Sequence, residues 1–238
     1  MYLTRFRINT ARTGARRLLS SPQRLHAAVM ASFPEAPPPA GQGPRVLWRV
    51  DHNSNAEVLL FVTSPTRPDL THLVEQAGWP TASEPGWQSY DYARFLSGIG
   101  AGSTWSFRLT ANPVHSIRRK EGEETKRTAH LTQRHQLSWL LQRQEPNGFE
   151  ILEKPEEKRQ RGFTDAHEVM VHGFRGLAFT KGPADAGAKR GAPVTISTVT
   201  YEGRLRVTRP DRFVQTLTCG LGKAKAYGCG LMTLAPVG

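Results

Sequence analysis

The order in which two-residue and 3.6-residue hydrophobic periods alternate is the tightest constraint on how this chain can fold. Residues 2 to 8 place Leu3, Phe6 and Ile8 among basic and polar neighbours, as a strand does. A basic turn is expected over Arg12, Thr13, Gly14, Ala15, Arg16 and Arg17. A helix then starts at Ser21-Pro22, with Ser21 as N-cap and Pro22 at the first helical position, and Leu25, Ala28, Val29 and Phe33 fall at helical spacing. Val46–Val50 and Glu57–Val62 read as a strand pair, Asp69–Gln76 as a short helix ended by Gly78 and Pro80, and Gln88–Arg94 as a weaker strand. Strand, helix, strand, strand, helix, strand is the ferredoxin-like or RRM-like order.

A glycine-rich joint, Gly98-Ile99-Gly100-Ala101-Gly102, separates this half of the chain from the second. Strands are expected at Trp105–Leu109, Phe149–Leu152, Val169–Thr180, Val194–Thr208 and Leu231–Ala235, and helices at Thr132–Gln144 and Pro210–Leu217. The second half thus repeats the first in topology. The expected fold is α+β, with tandem ferredoxin-like (RRM-like) domains of antiparallel sheets with helices on one face. The domains are placed at residues 1–97 and 98–238, the second carrying a basic hairpin and a glycine-rich loop.

Charge narrows the partner. The 238 residues hold 32 Lys and Arg against 20 Asp and Glu, a formal net charge of +12, which points to an anionic partner and first to nucleic acid. No acidic residue precedes Glu35, whereas Arg5, Arg7, Arg12, Arg16, Arg17 and Arg24 all do. No stretch approaches the roughly 20 apolar residues of a spanning helix, and the N-terminus lacks the apolar run of a signal peptide, so the chain is placed in the cytoplasm with no membrane partner. Cys219 and Cys229, the only cysteines, are too few for a four-cysteine zinc site and lack redox CxxC spacing; they are expected as reduced, packed thiols.

Gly220, Gly222, Gly228 and Gly230 crowd around Lys223, Lys225 and Tyr227. Such a loop can bring backbone close to phosphate. It is not a Walker A loop, because Lys223 is followed by Ala224, nor a dinucleotide GxGxxG. A tight turn feeding the last strand is the plainer reading. Of the eight histidines, His26 sits on the first helix beside the arginines; a lone helical histidine is more often a half-buried polar residue than a catalyst. There is no HExxH, and His130 and His135 are five apart, so no metal site is expected.

Several stretches taken in order carry a resemblance: Met1-Tyr2-Leu3-Thr4; Arg24-Leu25-His26-Ala27-Ala28 through Phe33-Pro34; Phe107–Pro113; Val199–Val207; and Gly220–Leu231. The chain resembles the CasE family, the precursor-RNA processing endoribonucleases of type I-E CRISPR systems. That resemblance implies two tandem ferredoxin-like domains and binding of the repeat hairpin of precursor CRISPR RNA. It implies cleavage at the 3′ base of the stem through 2′-OH attack, leaving 2′,3′-cyclic phosphate or 3′-phosphate and 5′-OH ends. It also implies retention of the crRNA with the other subunits of the Cascade complex, and needs neither cofactor nor metal. The family's catalytic histidine maps onto His26; whether it serves as acid or base stays open.

Some members carry a tyrosine three residues before that histidine and a lysine five after it; here these are Gln23 and Ala31. Arg24, adjacent in sequence, and Lys223, with Lys225 and Tyr227 reaching across the domain interface, are the candidate partners. The expected RNA contacts are Arg12, Arg16 and Arg17; Arg118, Arg119 and Lys120; Arg175 and Lys181, with Lys189 and Arg190; and Gly220, Gly222, Lys223, Lys225, Tyr227 and Gly228. The alternative is a subunit that holds the hairpin without cutting it.

Overall fold

The computed structural model describes residues 1–35, 43–53, 56–79, 86–117, 126–159, 165–180 and 193–237. The expected contacts Arg118, Arg119, Lys120, Lys181, Lys189 and Arg190 lie outside them. The chain packs as two units. One is Met1–Ile99 with Leu217–Leu231, the other Gly100–Thr216 with Met232–Gly238. Among the described residues no helix is long and apolar enough to cross a membrane.

In the first unit the elements are β1 (Tyr2–Ile8), α1 (Thr13–Leu19), α2 (Pro22–Met30), β2 (Leu47–His52), β3 (Val58–Ser64), α3 (Thr71–Ala77), β4 (Trp87–Asp91) and α4 (Tyr92–Ser97). The sheet order is β2-β3-β1-β4, every pairing antiparallel, as a ferredoxin-like sheet requires. Phe6 of β1 stands opposite Leu60 and Ile8 opposite Val58, and Trp48 of β2 stands opposite Val62. These alternate positions share one face with buried Ala15, Leu18, Leu25, Val29 and Leu73 of the helices, forming a continuous apolar core. Arg5 and Arg7 of β1 point the other way and are exposed.

The expected basic turn is instead helix α1. Ala15 and Leu18 are buried, and Arg16 and Arg17 lie in its last turn, where cations complement the helix dipole. Gly14 is required there because a Cβ would lie 2.2 Å from the Gln76 carbonyl oxygen of α3. At the far end of the sheet, the expected strand over Gln88–Arg94 stops at Asp91. The Asp91 carboxylate accepts the Ala93 N–H at 3.0 Å and starts α4. Ser21 caps α2 as expected, accepting the Arg24 N–H, with Pro22 at the first helical position.

The second unit holds β5 (Thr104–Ala111), β6 (Val114–Ile117), β7 (Lys126–Ala129), α5 (Gln133–Gln144), β8 (Phe149–Ile151), β9 (Val169–Thr180), β10 (Pro193–Val207), α6 (Pro210–Cys219, shared at its end with the first unit) and β11 (Met232–Pro236). The sheet runs β11-β5-β10-β8, and β9 continues the β8 edge of β10. Counting β8 and β9 as one interrupted strand gives the same order as the first unit. The antiparallel β6–β7 pair is an addition the hydrophobic pattern does not signal. Phe149, Phe213, Leu137, Leu140 and Tyr201 fill the core. The Tyr201 hydroxyl donates to the Gln136 carbonyl at 2.9 Å, which satisfies its buried polar end.

Candidate functional site

The glycine-rich segment was expected with the second domain. It packs instead in the first unit, where it lies against β2 and α2. Two contacts explain this, and an ion pair holds one of them in place. The Arg45 N–H donates to the Thr218 carbonyl at 3.2 Å. Arg49, 1% exposed, donates Nη1 to the Leu231 carbonyl at 3.0 Å. Its Nε and Nη2 form a bidentate pair with the Asp51 carboxylate at 2.6 and 2.8 Å. Gly220, Gly222, Gly228 and Gly230 all have φ between +79° and +91°. That conformation costs glycine little. At Gly220 a Cβ would meet Leu47 Cδ2 at 2.8 Å, and at Gly228 it would meet Trp48 Cζ3 at 2.7 Å. The loop backbone therefore lies directly on two β2 side chains, and one turn of 3-10 helix, Lys225–Tyr227, faces α2.

His26 is partly buried on α2. The Trp48 indole N–H donates to its Nδ1 at 3.3 Å. Alternation along β2 sends Trp48 to the helix-facing side with Val46, and this brings it under His26. Burial, and then the Arg45 guanidinium, hold His26 below the ordinary imidazole range. Lys225 is treated alike: burial and then Arg45 lower it, while Cys219 pulls the other way. His26, Arg45 and Lys225 thus share one electrostatic neighbourhood. An anion entering it would be met by cations that at present oppose one another's charge. Arg45 Nε is itself buried without a hydrogen-bond partner.

The other expected residues separate. Arg24 is exposed and two positions before His26, so the two side chains leave α2 on different sides, and Arg45 is the cation that acts on His26. Lys223 is exposed on the loop. Lys225 and Tyr227 approach α2 from within the first unit. Arg12 is committed to structure: its guanidinium donates to the Val74, Glu75 and Gly78 carbonyls at the end of α3. Arg16 donates to the Ala11 carbonyl at 2.7 Å, while Arg17 is exposed on the last turn of α1. Arg175 is exposed on β9. Arg108, Arg204 and Arg206 of the second sheet pair with Glu202, Glu168 and Glu150. Cys229 is wholly buried, which pushes its thiol up to about 12, and Cys219 is a second free thiol. His115, His130 and His135 stack in sequence, with ring centroids 4.4 and 5.8 Å apart.

Sequence reasoning missed Arg45 and Trp48. The signal was there in part. The two-residue alternation running from Val46 into β2 puts Val46 and Trp48 on the core side, and a core-side strand tryptophan needs an acceptor for its N–H.

A family model described as CRISPR associated protein matches residues 1–236. The chain is 29% identical to the CRISPR-associated endoribonuclease Cse3 of Thermus thermophilus over 237 residues, which span 99% of this chain and 100% of that one. It is similar to the structure of Thermus thermophilus Cse3 bound to an RNA representing a pre-cleavage complex, with TM-score 0.71, 28% identity and coverage of 99% and 98% of the two chains. It shares its fold with the CRISPR-associated protein Cas6e from Escherichia coli str. K-12, at TM-score 0.60, 24% identity and complete coverage of both chains.

Proposed function

We propose, for a chain that belongs to the CRISPR associated protein family and carries the CasE-like stretches, that it is an endoribonuclease with His26 at its catalytic centre. Its substrate is the repeat hairpin of precursor CRISPR RNA, cut at the 3′ base of the stem. The product stays bound and enters Cascade with the other subunits.

One observation carries the reading: the partly buried His26, fixed by Trp48, shares its surroundings with Arg45 and Lys225. RNA supplies its own nucleophile, the 2′-OH beside the scissile phosphate. In-line attack builds negative charge on the phosphorane oxygens, and then on the departing 5′ oxygen. Arg45 and Lys225 provide positive charge for the first, in a setting where burial strengthens the attraction. The imidazole addresses the proton that must leave the 2′ oxygen or reach the 5′ oxygen. Lys223, exposed on the same loop, and Arg17, exposed on α1, are assigned to phosphates away from the cut.

The test compares native protein with His26→Ala on the repeat RNA. The expected result is unchanged affinity and loss of cleavage by at least about a hundredfold, the low end for a positioned acid or base. Cleavage at the native rate would remove His26 from the chemistry. A non-cleaving, hairpin-holding subunit is favoured by Gln23 and Ala31, which stand where some family members have tyrosine and lysine. Its signature would be RNA bound and uncut by the native protein after long incubation.

A further inference from the structure

We propose that Trp48 is a positioning residue that fixes His26 in the Nε2–H tautomer, so that the ring presents a hydrogen-bond donor to the reacting groups. A neutral imidazole has one donor and one acceptor nitrogen. The Trp48 N–H, aimed at Nδ1 from 3.3 Å, makes Nδ1 the acceptor and leaves the proton on Nε2. The indole has little freedom to do otherwise. Trp48 is 3% exposed within the core of the first unit. On its other side the Gly228 backbone lies so close that a Cβ there would be 2.7 Å from the ring. Its N–H is a buried donor, and losing the acceptor would leave it unsatisfied.

The consequence for cleavage rests on the catalytic reading of His26. To take the 2′ proton, Nε2 must be bare, so its proton would first move to Nδ1. To give up a proton in full, the ring must carry one on each nitrogen. Either state puts an Nδ1–H against the indole N–H and breaks the Trp48 bond. With that bond intact, the neutral ring donates an Nε2–H hydrogen bond to a phosphoryl or leaving oxygen as charge develops there; the proton itself passes to the 5′ oxygen from a ring that has gained a second proton from solvent on Nδ1 and released the indole. The charged and titratable groups on elements packed against α2 reinforce this. They are Arg16 and Arg17 on α1, Arg45 ahead of β2, Lys225 and Tyr227 on the loop, and His72 of α3, whose Nε2 meets the Ala28 carbonyl at 2.9 Å. The acids there are Glu75 on α3 and Asp69, which lies ahead of α3 with its N–H donating to the Ser32 carbonyl beyond the C-terminal end of α2.

The experiment is ¹⁵N NMR of the full chain with labelled histidine, assigned with His26→Ala. In the native protein at pH 7.5, Nδ1 should resonate as an unprotonated nitrogen and Nε2 as a protonated one. Trp48→Phe keeps an aromatic ring and removes the donor. In that variant the Nδ1–H tautomer should appear, and the His26 midpoint should rise by about 0.5–1 pH unit, the equivalent of one hydrogen bond. The limb of the single-turnover pH–rate profile that belongs to His26 should move by the same amount. A native ring protonated on Nδ1 overturns the proposal without any variant. So does Trp48→Phe with unchanged tautomer and midpoint. The tautomer is read in the absence of RNA, so full cleavage by His26→Ala would defeat the catalytic reading separately.

Discussion

Replacing Gly228 with alanine should damage the site through a collision whose size can be worked out. Gly228 has φ +81°. An L-residue in that left-handed conformation costs about 1–2 kcal/mol. The new Cβ would lie 2.7 Å from Trp48 Cζ3, 3.1 Å from Cη2 and 3.2 Å from Cε3. Ordinary carbon contacts sit near 3.5–4.0 Å, so ring or loop must yield by roughly 1 Å. Overfilling a packed core in this way typically costs about 1–3 kcal/mol. The expected loss is therefore about 2–5 kcal/mol in all. Gly102 supplies the control: its φ is +79°, and a Cβ there meets nothing within 4 Å. Gly102→Ala should cost only the backbone share, about 1–2 kcal/mol. Urea unfolding, each variant followed on the transition of its own unit, measures both. Displacing the indole should also lengthen the Trp48–His26 bond, so the ¹⁵N pattern of His26 should change in Gly228→Ala and stay native in Gly102→Ala. Equal losses in the two variants, with an unchanged His26 ring, would show that the Gly228 backbone does not press on Trp48.

Asp51→Asn should cost about 3–5 kcal/mol in urea unfolding, because it leaves the guanidinium of Arg49 buried without its carboxylate. The double change Arg49→Met, Asp51→Leu should cost less than the single one. His26 and His130 are both held below the ordinary value of about 6.5, His130 by burial first and then by His115, His135 and Arg143. Their contribution to stability is therefore whole above that pH and is lost as pH falls through the lower folded values, where the unfolded chain binds more protons. Thermal midpoints at pH 7.5 and 5.0 should differ less in His130→Gln than in the native protein. Arg17→Ala should weaken hairpin binding and reduce the log–log salt slope by about one phosphate. Arg12→Ala should instead lower the stability of the first unit, because its guanidinium holds the end of α3.

Much of the frame is legible in the sequence. The strand and helix order rests on local periodicity, and the Ser21-Pro22 start of α2 rests on local capping, so both survive folding. What failed depended on packing. Helix α1 offers only Ala15 and Leu18 as buried positions and contains Gly14, so it reads as a turn until α3 lies against it. Tyr92 and Phe95 favour strand, and the Asp91 cap that stops β4 outweighs them. The unit against which Gly220–Leu231 packs is decided by Arg45, Arg49 and Trp48, more than 160 positions earlier in the chain. At the site, His26 was legible from its place in the CasE-like pattern. Its pairing with Trp48 was not, because it joins residues 22 apart on different elements.

In the proposed reaction the RNA's own 2′-OH does the cutting at a site built around His26. The most direct measurement incubates native protein, in EDTA, with repeat hairpin RNA that is either unmodified or carries a single 2′-deoxy sugar at the cut. The unmodified RNA should be cleaved to a 5′-OH end and a cyclic phosphate or 3′-phosphate end, and the deoxy RNA should be bound equally well and left intact. Cleavage of the deoxy RNA at the same bond would contradict that reaction.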